Sequence, residues 1–355
     1  MSRADRVAAR LAERELDLLL VTDMVNVRYL TGFSGTNGLA IVGSDTRRFL
    51  TDFRYVERAR AEVSGFDLQP APQELRTALG EGWPPGELRV GFEDHHVSVR
   101  RHAELRETMP DRIELVAGGG LVEAERAVKE PAEIASILAA ATLVDEIYAW
   151  LAERGLVGRT EREVALALEQ EMRVRGAEGP SFSSIVAAAE NGALPHAVPR
   201  DVAIPPNTLV TLDIGARIDG YCSDCTRTWA TGDLEDDLSE LYATVLHAQE
   251  TALAAVRPGL EGREVDAIAR DLITAAGHGD HFGHGLGHGV GLDVHEAPRL
   301  ARTAEARLEA GNVVTVEPGI YVPGRGGARI EDLVVVTADG HEVLSATAKS
   351  PRVVT

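Results

Sequence analysis

The segment VTLDIGARIDGYCSDCTRT, residues 210–228, constrains the fold of this chain more than any other. It contains two runs rich in apolar and β-branched residues on either side of Asp219-Gly220, a dipeptide that favours the two-residue turn of a β-hairpin. With this turn as the loop, Ile218 pairs with Tyr221, and the register of every other pair follows from it. The segment therefore predicts an antiparallel hairpin with a fixed register.

The same register brings two aspartates together. Asp213 pairs with Thr226, and Asp224 lies two residues from Thr226 on the same face, so the two aspartates are diagonal neighbours about 7–8 Å apart at the backbone. Like charges this close disfavour joint ionisation unless a cation compensates them, which indicates a metal site or a shared proton. An aspartate beside a turn is also common in proteins without such a site, so the hairpin alone leaves both interpretations open.

The rest of the chain predicts two folded domains. Its 355 residues exceed one ordinary domain, and an apolar fraction of 44% is sufficient for a large core. The runs DLLLVT, GLAIVG, RRFLT and RVGFE follow an N-terminal helical pattern, which predicts an α/β domain over residues 1–121. Pro131 then opens a mixture of helices and strands, which predicts an α+β domain over residues 122–355. The predicted helices of the second domain cover residues 132–153, 160–175, 235–256 and 262–276.

Charge balance and the N-terminus exclude several classes of partner. The chain has 36 Lys and Arg against 56 Asp and Glu, a formal net charge of −20, which repels nucleic-acid phosphates and anionic membranes. The N-terminus carries charges throughout, and its longest apolar run, residues 18–21, is much shorter than a signal-peptide core or a membrane span. Two cysteines cannot form a disulfide framework. We therefore expect a cytoplasmic protein with no nucleic-acid or membrane partner.

A second concentration of reactive side chains lies in HGDHFGHGLGHGVGLDVHE, residues 278–296, where glycine recurs between the histidines. Glycine lets a backbone approach a ligand closely and removes side chains that would shield an imidazole, which favours a site over a histidine-rich surface loop. A dinucleotide-binding turn is excluded because Val290 stands where that fingerprint needs glycine, and no Lys-Ser/Thr follows for a triphosphate loop. Five of the eleven histidines lie here: His278, His281, His284, His288 and His295.

Two glutamates lie within β-branched runs further along the chain, Glu317 in VVTVEPGIY and Glu331 in ARIEDLVVV. A glutamate in such a strand is costly to bury, and each one singly is more often an outward-facing residue. Together with two aspartates and one histidine, they would make a five-ligand set with four carboxylates. Such a set suits Mn²⁺ better than a structural Zn²⁺, and bridging carboxylates hold two cations about 3.5–4 Å apart in hydrolytic sites.

Cys222 and Cys225 offer a rival interpretation as a C-x-x-C metal or redox motif. The pair lies within the predicted hairpin instead of opening a helix, and the chain has no other cysteine. The carboxylate set is therefore the favoured site.

These motifs resemble the pita-bread metallopeptidases, a family that includes methionine aminopeptidase, aminopeptidase P, prolidase and the metal-free creatinase. The resemblance covers about residues 125–355 and rests on LDIGARIDGYCSDCTRT, GHGLGHGVGLDVHE, TVEPGIY and RIED, which stand in the family's order. The N-terminal segment, through YLTGFSGTNG and TDFRYVERA, resembles the creatinase-type domain of proline peptidases, which methionine aminopeptidases lack. The resemblance implies a creatinase-like N-terminal domain followed by a pita-bread catalytic domain.

The resemblance also implies the ligands of two divalent metal ions, Mn²⁺ in the first place, with Co²⁺ or Zn²⁺ as alternatives. Asp213 resembles the chelating ligand of one metal. Asp224 and Glu331 resemble the bridging carboxylates. His288 and Glu317 resemble the ligands that complete the second metal, so all five positions are filled.

Other residues resemble those that contact the substrate. His196, in NGALPHAVP, looks like a substrate-contacting histidine. His284 and His295 look like the pair that orients the substrate and stabilises the tetrahedral intermediate. Glu317 would accept the proton of the attacking water, and Arg329 would support the ligands.

The function implied is metal-dependent hydrolysis of the bond between an N-terminal residue and proline, by an Xaa-Pro aminopeptidase that is a homodimer. The alternative is an Xaa-Pro dipeptidase, or prolidase, and a non-peptidase hydrolase or scaffold on the same fold is more remote. A dipeptidase must pair the free carboxylate of its substrate, and Arg54, Arg299 and Arg329 are the arginines closest to family motifs. Cys225 departs from the family pattern, where we expect an aliphatic residue beside Asp224.

Overall fold

The computed structural model describes residues 1–351 and divides the chain into two compact units. The first unit comprises residues 1–126, and the second begins at Ala127. Each unit has helices, strands and a hydrophobic core of its own.

The first unit is a six-stranded sheet with five helices. Its strands are β1 (Leu18–Val21), β2 (Gly38–Gly43), β3 (Arg47–Asp52), β4 (Asp67–Ala71), β5 (Leu88–Phe92) and β6 (Ile113–Ala117). Its helices are α1 (Arg3–Arg10), α2 (Met24–Thr31), α3 (Val56–Glu62), α4 (Val99–Thr108) and α5 (Leu121–Ala127). The strand order is β4-β3-β2-β1-β5-β6, with β1 antiparallel to β2 and parallel to β5. The four apolar runs predicted here all form strands, so the α/β prediction is confirmed.

The division between the units lies after Arg126, whereas the sequence predicted a boundary after residue 121. The glycines at 118–120 interrupt the alternation of the first domain and set the predicted boundary, but α5, which follows them, stays attached to the first unit. Arg126 Nη1 donates to Asn26 Oδ1 at 2.8 Å, and Arg6 Nε donates to Glu125 Oε2 at 2.9 Å. These long-range contacts make α5 part of the first unit.

The helices of the second unit agree with the sequence analysis. They are α6 (Pro131–Ala152), α7 (Glu161–Val174), α8 (Asp236–Ala255) and α9 (Gly262–Ala275). Pro131 stands in the first turn of α6, where its missing N–H leaves no hydrogen bond unmade. At α7, the Thr160 hydroxyl accepts from the Glu163 N–H, and the Glu163 carboxylate accepts from the Thr160 N–H, as a capping box requires.

The strands of the second unit form several small sheets. They are β7 (Gly179–Pro180), β8 (Ile185–Ala188), β9 (Leu209–Ile214), β10 (Ala216–Ile218), β11 (Tyr221–Cys222), β12 (Cys225–Ala230), β13 (Gly287–Gly289), β14 (Glu296–Leu300), β15 (Val313–Val316), β16 (Gly319–Val322), β17 (Gly326–Arg329), β18 (Asp332–Val336) and β19 (His341–Val343). The sheet orders are β12-β9-β8, β11-β10-β7, β14-β13-β15-β18-β19 and β16-β17. The predicted α+β character is therefore confirmed.

The hairpin has the register that the sequence predicted. Ile218 lies opposite Tyr221 in β10 and β11, and Asp213 lies opposite Thr226 in β9 and β12. The turn residues Asp219 and Gly220 have φ values of +50° and +80°, the left-handed values that this kind of turn needs at both positions.

Two hydrophobic cores support the second unit. One packs α6 and α7 against β8, β9 and β12, and its members include Ile147, Leu168 and Trp229. The other packs α8 and α9 against β15 and β18, and its members include Val245 and Val334. The predicted site residues lie on strands and loops that adjoin one core or the other.

Helix α6 is the one helix among residues 1–351 that is long and apolar enough to cross a membrane by length and composition. Its charged residues nevertheless make specific contacts inside the unit. The Asp145 carboxylate accepts from the backbone N–H groups of Ala346 and Thr347 at 2.8 and 2.7 Å, and the Glu133 carboxylate accepts from the Tyr221 hydroxyl at 2.9 Å. These contacts are those of a core helix.

Candidate active site

One cavity of about 460 Å³ in the second unit gathers the eight residues to which the sequence analysis gave a metal-binding or catalytic role. The eight residues come from five separate stretches of the chain. They are His196, Asp213, Asp224, His284, His288, His295, Glu317 and Glu331.

Strand ends and close backbone packing position these side chains. Asp213 lies near the end of β9, Asp224 lies just before β12, and Glu331 lies between β17 and β18. His288 is the middle residue of β13. A Cβ atom at the preceding Gly287 would lie 2.0 Å from the Thr315 carbonyl oxygen, so β13 can lie this close to β15 only with glycine there.

Three carboxylates form the centre of the cavity. Asp213, Asp224 and Glu331 each offer an oxygen, and these oxygens lie within 4.8 Å of one another. Among the residues that the structure describes, the buried atoms Asp213 Oδ1 and Glu331 Oε1 have no hydrogen-bond partner. Buried acceptors without donors are rare because leaving them unpaired costs about 1–3 kcal/mol each, and more for a charged group. The arrangement therefore fits a cation held by oxygen ligands.

The pKa shifts of these three carboxylates also indicate a cation site. Burial raises the pKa of Asp224 well above its usual range, and the neighbouring charge of Glu331 raises it further. Burial likewise raises the pKa of Glu331, with the Glu317 charge adding to it. Burial also raises the pKa of Asp213, although the Arg329 guanidinium opposes that shift. Without a compensating cation, these carboxylates cannot all ionise together.

The two ring nitrogens of His288 have different partners. Nδ1 lies 3.1 Å from the Gly289 carbonyl oxygen, which only accepts, so we assign a proton to Nδ1. Nε2 lies 3.2 Å from Glu317 Oε1 and 3.6 Å from Asp224 Oδ2. A positive species between these atoms, either a proton on Nε2 or a metal ion, satisfies all three.

The pKa shifts of this pair describe the chain without a metal. Burial lowers the pKa of His288, but the hydrogen bond and charge of Glu317 outweigh burial, so the net shift is upward. Burial raises the pKa of Glu317, but His288 opposes it more strongly and lowers that pKa to about 2. The Thr315 hydroxyl also donates to Glu317 Oε1 at 3.1 Å.

Hydrogen bonds from Arg329 and Thr226 hold the carboxylates of Asp213 and Glu331 in place. Arg329 Nη2 donates to Asp213 Oδ2 at 2.7 Å, and Arg329 Nε donates to Thr226 Oγ1 at 3.0 Å. The Thr226 hydroxyl donates in turn to Glu331 Oε2 at 2.8 Å. One oxygen of Asp213 and one of Glu331 are thereby fixed, and the other oxygen of each is the one without a hydrogen-bond partner.

Through Tyr321, Arg329 also determines which ring nitrogen of His284 carries the proton. Arg329 Nη1 donates to the Tyr321 hydroxyl at 2.8 Å, and that hydroxyl lies 2.9 Å from His284 Nε2. His284 Nδ1 lies 2.7 Å from the Gly285 carbonyl oxygen, so Nδ1 donates and Nε2 accepts from Tyr321. Burial lowers the pKa of His284, which keeps the ring neutral in this tautomer.

His295 and His196 are exposed and line the open part of the cavity. The His295 ring lies 4.2 Å from the His288 ring between centroids, at 63°. Burial and the neighbouring His288 both lower the pKa of His295. His196 lies within a loop whose Pro195 carbonyl accepts from Arg329 Nη1 at 3.1 Å.

Two predicted members of the histidine cluster lie outside the cavity. His278 and His281 face each other, with their Nδ1 atoms 3.1 Å apart, and neither lines the cavity. The prediction that the whole stretch forms one site is wrong for this pair because a short 3₁₀ turn, Gly279–His281, places them beside the end of α9.

The sequence analysis missed several residues of the cavity. Tyr321, whose hydroxyl contacts His284 and Arg329 at the cavity wall, received no role, because its place in the sequence gives no signal of these contacts. Phe182 and Ile185, which form part of the apolar wall, carry no sequence signal because each is an ordinary strand or loop residue.

Arg299 is the one of the three candidate arginines that is available to a ligand. The Arg329 guanidinium is already bound to Asp213 and Tyr321, and Arg54 is paired with Asp52 in the first unit at 2.8 Å. Arg299 lines the cavity on β14, directly opposite His288, and is exposed. Within residues 1–351, no carboxylate lies within ion-pair distance of its guanidinium.

The structure disfavours the C-x-x-C interpretation. Cys222 and Cys225 are both buried free thiols. The Cys222 thiol lies 3.7 Å from the Leu292 carbonyl oxygen, and the Cys225 thiol lies 3.9 Å from the Glu331 carbonyl oxygen. Burial raises the pKa of both thiols, which keeps them protonated and unsuited to metal binding or thiol exchange.

A further acidic and imidazole group lies in the first unit. Asp23, His95 and Glu123 can also bring three ligand atoms within 4.8 Å, but this group is partly exposed. Glu123 already pairs with His95 at 3.0 Å, and the Asp23 side chain caps α2 by accepting from the Val25 N–H. The buried group in the cavity is therefore the stronger metal candidate.

Comparisons with known proteins agree with this geometry. A family model described as metallopeptidase family M24 matches residues 134–338, and a creatinase/prolidase N-terminal domain model matches residues 3–128. The chain is 33% identical to the Xaa-Pro dipeptidase of Pyrococcus furiosus over 98% of both proteins.

Two solved structures are similar over nearly the whole chain. An Xaa-Pro dipeptidase from Bacillus anthracis superposes with a TM-score of 0.94 at 37% identity and 99% coverage of both chains. An X-Pro aminopeptidase from Thermotoga maritima superposes with a TM-score of 0.89 at 31% identity and 100% coverage of both chains.

Proposed function

Because the chain belongs to metallopeptidase family M24, with a creatinase-type N-terminal domain before the catalytic one, we propose that it is an Xaa-Pro dipeptidase. It is a proline-specific peptidase, and the reaction proposed is hydrolysis of the bond between an N-terminal residue and a C-terminal proline. Three of the curated relatives are named Xaa-Pro dipeptidases, and several of the similar solved structures are named dipeptidases or prolidases, which favours the alternative of the sequence analysis over its leading expectation of an aminopeptidase.

Membership of this family implies the use of divalent metal ions, and the residues present fit them. Two buried carboxylate oxygens without hydrogen-bond donors are the observation on which that fit rests. We propose that Asp213, Asp224, His288, Glu317 and Glu331 hold two divalent ions, with Mn²⁺ favoured over Co²⁺ or Zn²⁺ because four of the five ligands are carboxylates. Such ions, when bound, lower the pKa of water and polarise a carbonyl oxygen.

The protein's own side chains supply proton transfer and orientation. Glu317 accepts a proton from the attacking water, since its carboxylate lies at the cavity wall and is ionised. His295 donates a hydrogen bond to the oxygen that becomes negative as the carbonyl is attacked. His284, held as a single tautomer by Tyr321, and His196 orient the peptide.

An apolar wall suits the proline ring. Phe182, Ile185 and Ala301 contribute apolar side chains to the lining of the cavity. Proline has no backbone N–H, so a site that required such a donor would reject it, whereas an apolar slot accepts the ring.

Arg299 is the observation that favours a dipeptidase within this class. An unpaired guanidinium in the cavity wall provides a partner for the free carboxylate that a dipeptide carries on its proline. An aminopeptidase has no such carboxylate at that position, because the peptide continues beyond proline. A charge-assisted hydrogen bond contributes about 1.5–3 kcal/mol, equivalent to a preference of about 10–150-fold.

The test compares one Xaa-Pro dipeptide with the matched Xaa-Pro-Yaa tripeptide, using Mn²⁺-reconstituted and chelated protein. Selective, metal-dependent cleavage of the dipeptide supports the proposal, and Arg299→Gln should then reduce kcat/KM for the dipeptide and leave the tripeptide unchanged. Equal or better cleavage of the tripeptide identifies an Xaa-Pro aminopeptidase. This is the second candidate function, and the similarity to the Thermotoga maritima enzyme supports it. Cleavage of neither substrate would favour a scaffold protein.

The remaining expectations about partners stay predictions. We propose a homodimer that acts on proline-containing peptides, on the basis of the family resemblance, and a cytoplasmic location, for which the acidic composition and the two cysteines are the support. Light scattering coupled to size-exclusion chromatography measures the mass of the assembly directly.

A further inference from the structure

Glu161 is a buried carboxylate with an unusual set of partners. It is the first residue of α7, and its side chain is 1% exposed. Its Oε1 accepts from the Ala188 N–H at 2.8 Å and from Arg200 Nη2 at 3.3 Å. Its Oε2 accepts from Asn191 Nδ2 at 2.8 Å and from the N–H and Nε of Arg200 at 2.8 and 3.2 Å. Each of these donors belongs to residues 188–200.

Residues 188–200, called here the His196 loop, carry His196 to the mouth of the cavity. Ala188 is the last residue of β8, so the carboxylate of Glu161 binds the backbone at the first and the last residue of the loop. A single side chain thus closes the loop at its base. Asn191, which is 5% exposed, links this closure to the middle of the loop by donating to the Val198 carbonyl oxygen at 3.2 Å.

The apolar side chains of the loop contribute little to holding it. Leu194 and Val198, on either side of His196, are 56% and 74% exposed. Ala197, next to His196, is 4% exposed but offers only one methyl group for packing, so hydrogen bonds supply most of the restraint on the position of His196. On the cavity side, Arg329 Nη1 binds the Pro195 carbonyl oxygen, and on the far side the base is held by Glu161.

We propose that Glu161 is a positioning residue that fixes His196 at the substrate cavity by closing the His196 loop. The proposal rests on the proposed peptidase function, in which His196 contacts the substrate. A negative charge in a buried site binds N–H donors more strongly than a neutral acceptor does, and a displacement of about 1 Å at a substrate-contacting group can reduce the rate 100-fold.

The competing explanation is purely structural. A carboxylate in the first turn of a helix also stabilises that helix, and its ion pair with Arg200 contributes to folding in the same way as any buried pair. A structural role and a positioning role predict different outcomes when His196 itself is removed, because only positioning acts through that side chain.

The first experiment is a double-mutant cycle. The change Glu161→Gln replaces one acceptor oxygen with an NH₂ group that faces backbone donors, and kcat and KM for an Xaa-Pro dipeptide are measured with and without His196→Ala. We expect kcat/KM to fall about 10-fold in the wild-type background, mainly through KM, and less than twofold in the His196→Ala background. Equal falls in both backgrounds would overturn the proposal, and so would unchanged activity.

Glu163→Gln is the matched control. Glu163 occupies the same turn of α7 and also accepts a backbone N–H, but it is exposed and contacts Thr160 instead of the His196 loop. We expect its kcat/KM to stay within twofold of the wild-type value. A loss comparable to that of Glu161→Gln would assign the effect to the helix end.

The second experiment measures the loop without any substrate. Limited digestion with the glutamate-specific protease Glu-C, followed by mass spectrometry, reports cleavage after Glu190, an exposed residue of the loop. Glu161→Gln should accelerate that cleavage at least tenfold while Glu163→Gln leaves it at the wild-type rate, and equal rates would contradict the proposal. If wild-type protein cleaves no Xaa-Pro peptide, the proposed function fails, and this digestion still tests the closure of the loop.

A second variant covers the case in which Glu161→Gln does not fold. Arg200→Gln removes the guanidinium contacts to Glu161 from the loop side and leaves α7 intact, because the Arg200 side chain is 35% exposed. It should give the same pattern in both experiments with smaller changes. An unchanged KM together with an unchanged digestion rate would overturn the proposal.

Discussion

The guanidinium of Arg329 binds the carboxylate of Asp213 at 2.7 Å between Nη2 and Oδ2, and the two side chains are only 5% and 13% exposed. The same guanidinium also binds Thr226, Tyr321 and the Pro195 carbonyl, so it fixes three parts of the cavity together. Its position explains how a cavity with four carboxylates keeps its geometry before any cation is present.

Replacement of Arg329 is therefore expected to affect both stability and activity. Arg329→Met leaves Asp213 buried without its partner, a change that typically costs about 3–5 kcal/mol. We expect a lower free energy of unfolding in metal-free protein, measured in urea, and a fall in kcat/KM of about 10–100-fold. Arg307→Met is the control, because its side chain is 61% exposed and far less burial is lost. Equal stabilities of the two variants would contradict this role.

Asp224→Asn should separate catalysis from folding. The asparagine keeps the shape of the side chain but removes a charge from a crowded group of buried carboxylates, so the metal-free variant should unfold at the wild-type urea concentration or a higher one. Its activity should fall by more than the roughly 100-fold typical of losing a residue that only supports a ligand. Near-normal turnover in this variant would sink the two-metal model.

Chelation should destabilise the protein through the same cavity. If free metal stands at about 100 times its dissociation constant, its removal costs about 2.7 kcal/mol, equivalent to a fall in Tm of about 5–10 °C for a unit of this size. Calorimetry with and without EDTA measures this shift, and Mn²⁺ should restore it. In Glu331→Gln the shift should be largely lost. A full shift in that variant would place the stabilising metal elsewhere.

Asp52 provides a prediction about pH that does not involve the cavity. Hydrogen bonds from Arg54 lower the pKa of Asp52, so its pairing stabilises the folded state above the usual aspartate pKa of about 3.9 and is lost as the pH falls through the lower folded value. Asp52→Asn should cost about 1 kcal/mol at pH 7, a modest figure because Arg54 is 43% exposed.

The loss of unfolding free energy caused by Asp52→Asn should become smaller below pH 4. Urea unfolding of the metal-free protein measures it. Asp45→Asn, an exposed aspartate after β2, is the control and should cost little at any pH. A cost for Asp52→Asn that is constant from pH 7 to pH 3 would show that the charge of Asp52 does not matter.

Local chemistry explains which features the sequence could predict. The hairpin register followed from two turn residues, because a two-residue turn with left-handed φ values leaves only one pairing. Helices α6 to α9 were predicted closely because their caps and prolines are local signals. The five carboxylate and histidine ligand candidates were found because their motifs are distinctive.

Features that depend on distant contacts were not predictable in this way. The unit boundary was placed too early because the attachment of α5 depends on Asn26, which lies far away in the sequence. His278 and His281 were grouped with the cavity because spacing alone cannot show where a 3₁₀ turn directs its side chains. The roles of Glu161 and Tyr321 were invisible because each is defined by its partners across the fold.

The two hydrophobic cores of the second unit have a consequence for the order of folding. Asp213 and Asp224 adjoin one core, whereas His288, Glu317 and Glu331 adjoin the other. The candidate ligands therefore span about half of the unit's length, from Asp213 to Glu331, and they meet only after both cores have collapsed and docked. A cation can consequently stabilise the folded protein but cannot assist the early steps of folding. Metal supplied during synthesis should therefore leave the folding rate unchanged and slow only unfolding.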